Sequence, residues 1–360
     1  MSKWEEKKFK EFIKLNRGFD LPNDKIKFGN YPVVASTNIK GYHISYKVTA
    51  PVVVTGRSGS LGVVQYIDKN CTPLNTTLYV KDFKGNFPRF VYYYLKTMRL
   101  DTFNSGAGVP TLNQNHLHSI KINIPDLPTQ ERIADILSAY DDLIEANNRR
   151  IELLEQVAQE LYKEWFVRFR FPGHEKAKFE NGLPEGWRIG KFKDELNYNT
   201  GKLDSNTSSE DGKYSFYTCA KTVYKTNTYC FDGECVLLGG NNATGDFSLF
   251  YANEKLDAYQ RTYIVTPQNP LLSCVYIYFV LKNYLLQFKT SSIGATTKFL
   301  TKGMLDKAKI IIPDTNILLW YNELSQNMFK QITLLKARNE NLTAQRDLLL
   351  PRLMGGKLEV

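Results

Sequence analysis

Short motifs that could carry catalysis occur in the chain, but each lacks a residue that the chemistry requires. GRSGS at 56–60 begins as a nucleophile elbow does, yet a serine stands where the second glycine is needed. GNNATG at 240–245 has the glycine spacing of a phosphate-binding loop, but aspartate and phenylalanine follow it instead of lysine and serine or threonine. Cys230 and Cys235 lack a second cysteine pair, so zinc is not expected. We therefore predict no catalytic site, no metal and no cofactor.

The charge of the chain is unevenly placed. Among 360 residues there are 47 Lys and Arg against 37 Asp and Glu, a net charge of +10. Residues 1–127 carry +9, whereas residues 128–166 carry −5. A basic first segment favours a polyanionic partner. The start of the chain lacks the apolar core of a signal peptide, and no run of residues is apolar enough for a membrane helix, so we expect a cytoplasmic protein that does not bind membranes.

Polar loops supply side chains that can bind DNA. Arginine can hold a guanine edge and asparagine or glutamine an adenine edge, while serine, threonine and lysine hold phosphates. In the first half of the chain the candidate DNA-binding residues are Thr37, Asn38, Lys40, Arg57, Ser58, Ser60, Asn113 and Gln114. In the second half they are Lys221, Asn241, Asn242, Thr244 and Lys298. Each loop taken alone could also be an ordinary solvated turn.

The sequence repeats itself once. A shift of 183 residues places tryptophan, glycine and tyrosine positions on one another: Trp4 on Trp187, Gly18 on Gly201, Tyr31 on Tyr214 and Gly56 on Gly239. The shift grows to 188 by Ile122 and Ile310, as small loop insertions require. The sequence therefore predicts an internal duplication.

Each repeat begins with a mixed α and β segment of about 125 residues. Runs rich in β-branched and aromatic residues predict strands at 50–56, 62–67, 234–240 and 261–266. Residues 87–100 and their counterpart 271–289 are predicted to form helices.

Each repeat ends in a long helix whose apolar residues recur at alternating spacings of three and four. The first seam consists of Ile133, Leu137, Tyr140, Ile144, Ile151, Leu154, Ala158, Leu161 and Trp165, with Asn147 in its one gap. The second seam keeps this register and places Asn339 at the equivalent position. The hydroxyl of Thr129 is predicted to cap the first helix.

Connectivity predicts that the two helices form an antiparallel coiled coil with one mixed domain at each end. Asn147 and Asn339 then meet near the middle, where a buried pair of asparagines fixes the register. A helix of about 37 residues spans roughly 55 Å, the length of about 16 base pairs of DNA.

Four strings resemble the specificity subunit of a type I restriction-modification system. They are PTQERI at 128–133, LYKEWF at 161–166, LPEGW at 183–187 and LLPRLMGGKL at 349–358. The resemblance covers nearly the whole chain. It implies two target recognition domains that read the halves of a split, asymmetric site in double-stranded DNA.

The resemblance also implies an α+β fold with a defined order of parts. Target recognition domain 1 is expected at 1–127, spacer helix 1 at 128–166, a linker at 167–186, target recognition domain 2 at 187–315 and spacer helix 2 at 316–360. The helices are expected to set the spacer and to dock two copies of a modification subunit, whose methyltransferases act on adenine. Restriction subunits complete the complex.

Two other readings remain open on the sequence alone. One is a coiled-coil structural adaptor that never touches DNA. The other is a self-sufficient DNA methyltransferase or nuclease, which would bind its own methyl donor or metal.

Overall fold

The computed structural model describes residues 4–106, 108–294 and 296–360, and the chain divides into two units. Unit 1 comprises Met1–Asn147 together with Ala337–Val360. Unit 2 comprises Asn148–Lys336. Unit 1 is therefore built from two separate stretches of the chain, with unit 2 inserted between them.

Unit 1 contains nine strands, three short helices and part of each long helix among its described residues. The strands are β1 (Trp4–Lys8), β2 (Lys14–Arg17), β3 (Tyr31–Val34), β4 (Ile39–His43), β5 (Val52–Gly56), β6 (Val64–Ile67), β7 (Thr72–Pro73), β8 (Thr77–Asp82) and β9 (Lys121–Pro125). The helices are α1 (Phe9–Phe12), α2 (Pro88–Thr97), α3 (Gln114–Ser119) and the first part of α4 (Leu127–Tyr162).

Unit 2 contains twelve strands, three further helices and parts of both long helices among its described residues. Its strands are β10 (Phe179–Glu180), β11 (Leu183–Pro184), β12 (Arg188–Lys191), β13 (Leu196–Thr200), β14 (Tyr214–Tyr217), β15 (Tyr224–Thr226), β16 (Phe231–Gly239), β17 (Asn241–Asn242), β18 (Leu249–Ala258), β19 (Thr262–Pro267), β20 (Lys298–Phe299) and β21 (Lys309–Ile312). Its helices are α5 (Phe192–Glu195), α6 (Cys274–Ser291), α7 (Lys302–Lys307) and α8 (Thr315–Met354), whose C-terminal part belongs to unit 1.

The sheets of the two units share one strand order. In unit 1 the main sheet runs β2-β8-β5-β6, and in unit 2 the equivalent strands run β13-β19-β16-β18 before β14 and β15 join them. An antiparallel pair closes each unit, β1 with β9 and β12 with β21. The strands and helices expected from the sequence lie near their predicted positions, but the second long helix ends at Met354, before the predicted end at 360.

The cores explain why these elements form. In unit 1, β5 is buried along its whole length and packs under α2, which begins with a proline at its first turn. In unit 2 the whole first turn of α6 is buried, and the hydroxyl of Ser273 caps the helix by accepting the Tyr276 N–H at 3.1 Å. No helix among the described residues is long and apolar enough to cross a membrane.

In unit 1, the first part of α4 packs antiparallel against the end of α8. The side-chain NH₂ of Asn147 donates to the side-chain oxygen of Asn339 at 2.8 Å. Six residues before Asn147 in α4, Asp141 pairs with Arg346, which lies seven residues after Asn339 in α8. Ile133 and Leu137 join the same core as Leu353. Asn147 is only 6% exposed, so this amide pair is buried.

In unit 2, the rest of α4 packs antiparallel against the start of α8. Glu155 lies 3.6 Å from Lys336, while the rings of Tyr162 and Tyr321 are 6.4 Å apart. The chain after Tyr162 continues as one π-helical turn, Lys163–Val167.

The cap predicted for α4 is wrong. The helix begins at Leu127, two residues before Thr129, and the Asp126 carboxylate accepts the Thr129 N–H at 3.1 Å. Gln130 instead ties α4 to α2, because its side-chain oxygen accepts the Phe87 N–H at 3.0 Å. A negatively charged carboxylate at the start of a helix also interacts favourably with the positive end of the helix dipole.

A buried carboxylate in unit 2 has a shifted pKa. Glu195, at the end of α5, accepts hydrogen bonds from Arg188 and, at 3.2 Å, from Asn269. The hydrogen bond from Arg188 is the main reason that the pKa of Glu195 is lowered, and it outweighs the opposing effect of burial.

Candidate nucleic-acid interface

A set of main-chain hydrogen bonds joins four loops at one end of the main sheet of unit 1. The Arg57 N–H, just after β5, donates to the Thr76 carbonyl at 2.8 Å. The Arg57 carbonyl accepts the Leu112 N–H at 2.8 Å, and the Ser36 hydroxyl donates to the same Thr76 carbonyl at 3.0 Å. We call Ser36, Arg57, Thr76 and Leu112 the loop frame of unit 1.

Unit 2 builds the same loop frame from different residues. The Gly240 N–H donates to the Arg261 carbonyl at 2.7 Å, and the Gly240 carbonyl accepts the Leu300 N–H at 2.9 Å. The Cys219 thiol takes the place of the Ser36 hydroxyl and lies 3.5 Å from the Arg261 carbonyl. The loop frame of unit 2 is therefore Cys219, Gly240, Arg261 and Leu300.

A glycine stands where the central strand meets each loop frame. A Cβ on Gly56 would lie 1.9 Å from the Ser60 carbonyl oxygen, which is main chain and cannot move aside alone. A Cβ on Gly239 would lie 2.5 Å from the Ser248 hydroxyl. These glycines allow the loops to fold back over the strand ends, which is a reason for glycine independent of backbone torsion.

The structure brings the candidate residues of unit 1 together around its loop frame. Thr37 and Asn38 occupy the exposed turn between β3 and β4, and Lys40 follows on the exposed side of β4. Ser58 pairs with Thr111 in an isolated bridge, and Ser60 closes the same loop on the exposed surface.

Two candidates that follow the loop frame have local structural contacts. The side-chain oxygen of Asn113 caps α3 by accepting the Asn115 N–H at 2.9 Å. The side-chain oxygen of Gln114 is buried and has no hydrogen-bond partner among the described residues. Asn113 thus offers only its amide NH₂ group to a ligand.

One hydrogen bond orients the side chain of Arg57. Its Nε–H donates to the Asn75 carbonyl at 3.1 Å, which fixes the plane of the half-buried guanidinium group. The terminal nitrogens make no hydrogen bond or ion pair with the described residues. A guanidinium group anchored through Nε can still present its two terminal nitrogens to a guanine edge.

The candidates of unit 2 also meet at the loop frame. Asn241 and Asn242 form β17, which pairs with β20, and Asn242 stands opposite Lys298. The Asn242 side-chain oxygen accepts the Thr244 N–H at 2.8 Å and the Thr244 hydroxyl at 2.9 Å. Asn242 and Thr244 therefore shape the loop, while Asn241 and Lys298 lie beside the loop frame.

The loop of unit 2 carries an ion pair at its end. Lys289 lies 2.6 Å from Asp246, and its hydrogen bond is the main cause of the lowered pKa of Asp246. The exposed Lys221 acts in the same direction through its charge. Lys221 is therefore close enough to the loop to add positive charge to this surface.

Two residues of this surface were missed by the sequence analysis. The guanidinium carbon of Arg261 lies 5.2 Å from the centre of the Phe299 ring, a cation–π contact beside Asn241. Arg261 occupies the position of Thr76 in unit 1, directly before the matched residues Thr77 and Thr262. Alignment of the two repeats could have found Arg261, although it lies in a run that reads as strand.

The described residues contain no group of three or more histidine, cysteine, aspartate or glutamate side chains that could hold a metal ion. Cys235 is buried in β16 and burial raises its pKa to about 12, so it is an unreactive thiol at neutral pH. Cys230 is exposed, just before the same strand.

Two units with one loop frame and different side chains define a protein that presents two unlike polar surfaces. The chain belongs to the family described as type I restriction modification DNA specificity domain, whose model matches residues 1–156 and 184–344. The resemblance drawn from the four sequence strings is thereby confirmed. The chain is a specificity subunit of a type I restriction-modification system, and its function is recognition of DNA sequence.

Known relatives agree with this assignment. The chain is 24% identical over 415 residues to the type I restriction enzyme MjaIX specificity subunit of Methanocaldococcus jannaschii, covering 99% of this chain and 94% of that protein. It is 31% identical over 160 residues to the EcoDI specificity subunit of Escherichia coli, covering 44% of this chain and 35% of that protein. The fold matches the type I restriction-modification S subunit of M. genitalium with a TM-score of 0.67 at 17% identity, over 98% of this chain and 96% of that one.

Proposed function

We propose that each unit reads one half of a bipartite, asymmetric DNA site. The observation that carries this proposal is the shared loop frame. Its main-chain bonds are equivalent in the two units, yet Arg57, Ser58 and Thr76 of unit 1 correspond to Gly240, Asn241 and Arg261 of unit 2. Because base choice depends on side-chain donors and acceptors, one frame with two side-chain sets reads two different sequences.

The DNA-contacting residues in this proposal are the candidates grouped around each loop frame, with Arg261 added. In unit 1, Arg57 of the loop frame and the adjacent Ser58 contact base edges, while Thr37, Asn38, Lys40 and Ser60 hold phosphates. In unit 2, Asn241 and Arg261 contact bases, and Lys221 and Lys298 hold phosphates.

The two long helices act as the spacer in this proposal. Target recognition domains at 1–127 and 187–315 are joined by spacer helices at 128–166 and 316–360, which form a coiled coil. The buried hydrogen bond between Asn147 and Asn339 supports a role in fixing the helix register. A fixed register gives a fixed number of unread base pairs between the two half-sites.

Catalysis in this proposal belongs to partner subunits. Two modification subunits dock on the helices and methylate adenine, and restriction subunits join them. The specificity subunit itself has no catalytic activity, in keeping with the incomplete catalytic motifs of the sequence and with relatives that are named as specificity subunits.

The test is to sequence the methylome of cells that carry this chain with its modification subunits. We expect methylated adenines in a two-part motif with a constant gap. Replacing residues 1–127 with the equivalent lobe of another specificity subunit should change one half of the motif only. A heptad inserted in each helix should lengthen the gap by about three base pairs, since seven residues add about 10.5 Å.

Other outcomes would assign the chain differently. Methylation by the purified chain alone, with its own methyl donor, would make it an enzyme. An unchanged motif after replacement of both lobes would make it a structural adaptor.

A point substitution tests the site itself. Arg57→Ala in the assembled complex is expected to relax one position of one half-site and to cost about 1–3 kcal/mol of binding free energy. Lys81→Ala is the matched control, because Lys81 is an exposed cation near the other end of β8, roughly 16 Å from Thr76 along the strand. It should leave affinity and motif unchanged.

A further inference from the structure

The hairpin of β3 and β4 in unit 1 exposes large apolar side chains that the loop frame does not use. Phe28, in the loop before β3, is 95% exposed, and Ile39, Tyr42 and Ile44 are 42%, 48% and 56% exposed. We call these four residues the hairpin patch. Phe28 is more exposed than any other large apolar side chain among the described residues.

Contacts with His43 anchor the main chain on both sides of Phe28. On one side, the Lys27 N–H donates to the His43 ring at 3.0 Å. On the other, Gly29 packs so closely on β4 that a Cβ there would lie 2.4 Å from the His43 carbonyl carbon. The ring thus projects from an anchored segment.

The fold does not require this patch, because unit 2 has the same hairpin without it. The ring pair that supports the hairpin is kept, with Tyr31 and Tyr46 4.9 Å apart in unit 1 and Tyr214 and Tyr229 5.1 Å apart in unit 2. The positions of the hairpin patch hold only polar residues in unit 2, namely Asp211, Thr222, Lys225 and Asn227. The hairpin of unit 2 instead exposes Val223, Tyr224 and Tyr229, so an exposed apolar side chain at the position of Phe28 is a property of unit 1 alone.

The charges around the hairpin patch indicate its partner. Residues 24–47 contain four lysines, Lys25, Lys27, Lys40 and Lys47, against the single acidic residue Asp24. All four lysines are exposed and make no ion pair with the described residues. The same hairpin carries Ser36 of the loop frame at its turn, so the patch continues the surface proposed to face DNA. Duplex DNA offers partners for both kinds of group, because an aromatic ring can stack on bases and lysines can bind the phosphates on either side.

We propose that Phe28 inserts as an apolar wedge into a base step of duplex DNA, outside the bases that the loop frame reads. This proposal rests on the proposed function of unit 1. The lysines hold the flanking phosphates while the ring separates two stacked base pairs. Because β4 spans five residues between the turn and His43, the wedge lies roughly 16 Å from the turn, the length of about five base pairs.

The experiment uses the full chain assembled with its modification subunits and a duplex that contains the site defined by the methylome. 2-Aminopurine is placed at successive positions around the half-site read by residues 1–127, since its fluorescence rises when a base is unstacked. We expect a rise at one step about five base pairs from the bases that unit 1 reads. Phe28→Ala should abolish this rise and weaken binding on the order of tenfold, whereas Phe28→Trp should keep both.

The matched control is Phe179→Ala, which removes another exposed phenylalanine, 52% exposed, from unit 2. It should keep the fluorescence rise and the affinity. Sequence-specific binding with no Phe28-dependent unstacking outside the methylated adenines overturns the wedge and leaves the proposed function standing. Absence of sequence-specific binding by the wild-type complex overturns both. A Phe28→Ala complex that binds DNA normally but assembles poorly with modification subunits overturns the wedge in favour of a protein-docking patch.

Discussion

The ion pair between Asp141 and Arg346 gives the sharpest test of how the helices hold unit 1. The side chains are only 26% and 16% exposed, and the Tyr93 hydroxyl donates to the same carboxylate at 2.6 Å. Burial opposes the charge on Arg346, but its hydrogen bonds to Asp141 and Asp347 outweigh burial and raise its pKa. Arg346→Ala leaves the half-buried Asp141 carboxyl group without this partner.

The cost follows from that exposure. Loss of one partner from a fully buried pair costs about 3–5 kcal/mol, and the partial exposure of Asp141 reduces this to about 2–3 kcal/mol. For a unit of roughly 170 residues, this lowers the melting temperature by about 4–12 °C. Hydrogen exchange of peptides from 1–147 during thermal or urea unfolding reports unit 1, and peptides from 148–336 provide the internal reference.

Unit 2 shows how the pair can be replaced. The equivalents of Tyr93, Asp141 and Arg346 are Phe279, Phe329 and Ala158, and the two phenylalanine rings lie 5.8 Å apart. A triple variant of unit 1 with Phe, Phe and Ala at these positions should regain most of the stability, because no buried charge remains. Lys336→Ala, which breaks the exposed pair with Glu155, should cost about 1 kcal/mol or less. A loss below about 1 kcal/mol for Arg346→Ala, or no recovery in the triple variant, would refute the reasoning.

Three further outcomes are expected. Asn147→Leu should destabilise unit 1 by about 1–2 kcal/mol in urea, because it removes the donor to the Asn339 oxygen, and Asn147→Leu with Asn339→Leu should recover stability. Glu195→Gln should lower the free energy of unfolding of unit 2 at pH 7. Because the pKa of Glu195 in the folded state lies below the unfolded value of about 4.3, this destabilisation should shrink as the pH falls from that value towards the folded-state pKa. A destabilisation that stays constant with pH would contradict the prediction. Gly56→Ala should disrupt the loop frame and weaken DNA binding by unit 1, whereas Gly303→Ala, where a Cβ also meets open space, should bind normally in the same assay.

The elements with long periodic patterns could be predicted from sequence. The heptad seams placed α4 and α8, and the spacing of the repeats placed equivalent strands, because burial of one face sets a period that is visible in the residues. The pairing of Asn147 with Asn339 followed from the same register, because a buried polar side chain at a seam position needs a hydrogen-bond partner on the facing helix.

The roles of polar loop residues could not be predicted as well. Asn113 and Asn242 have the chemistry of base readers, yet their side-chain oxygens accept local main-chain N–H groups. Thr129 has a hydroxyl that could cap a helix, but α4 begins before it, and the carboxylate of Asp126 caps the helix instead. Short polar side chains can form hydrogen bonds either with the neighbouring main chain or with a ligand. The sequence does not distinguish these two roles, because the residue types and their spacing are the same in both.

The division of unit 1 between two stretches of chain has a consequence for biosynthesis. Ile133 and Leu137 of α4 need the segment 337–360 to complete their core, and the ribosome makes that segment after all of unit 2. Unit 1 is therefore started first and completed last, and a nascent chain contains a complete unit 2 before it contains a complete unit 1. Release of the chain before residue 337 leaves unit 1 without the end of α8.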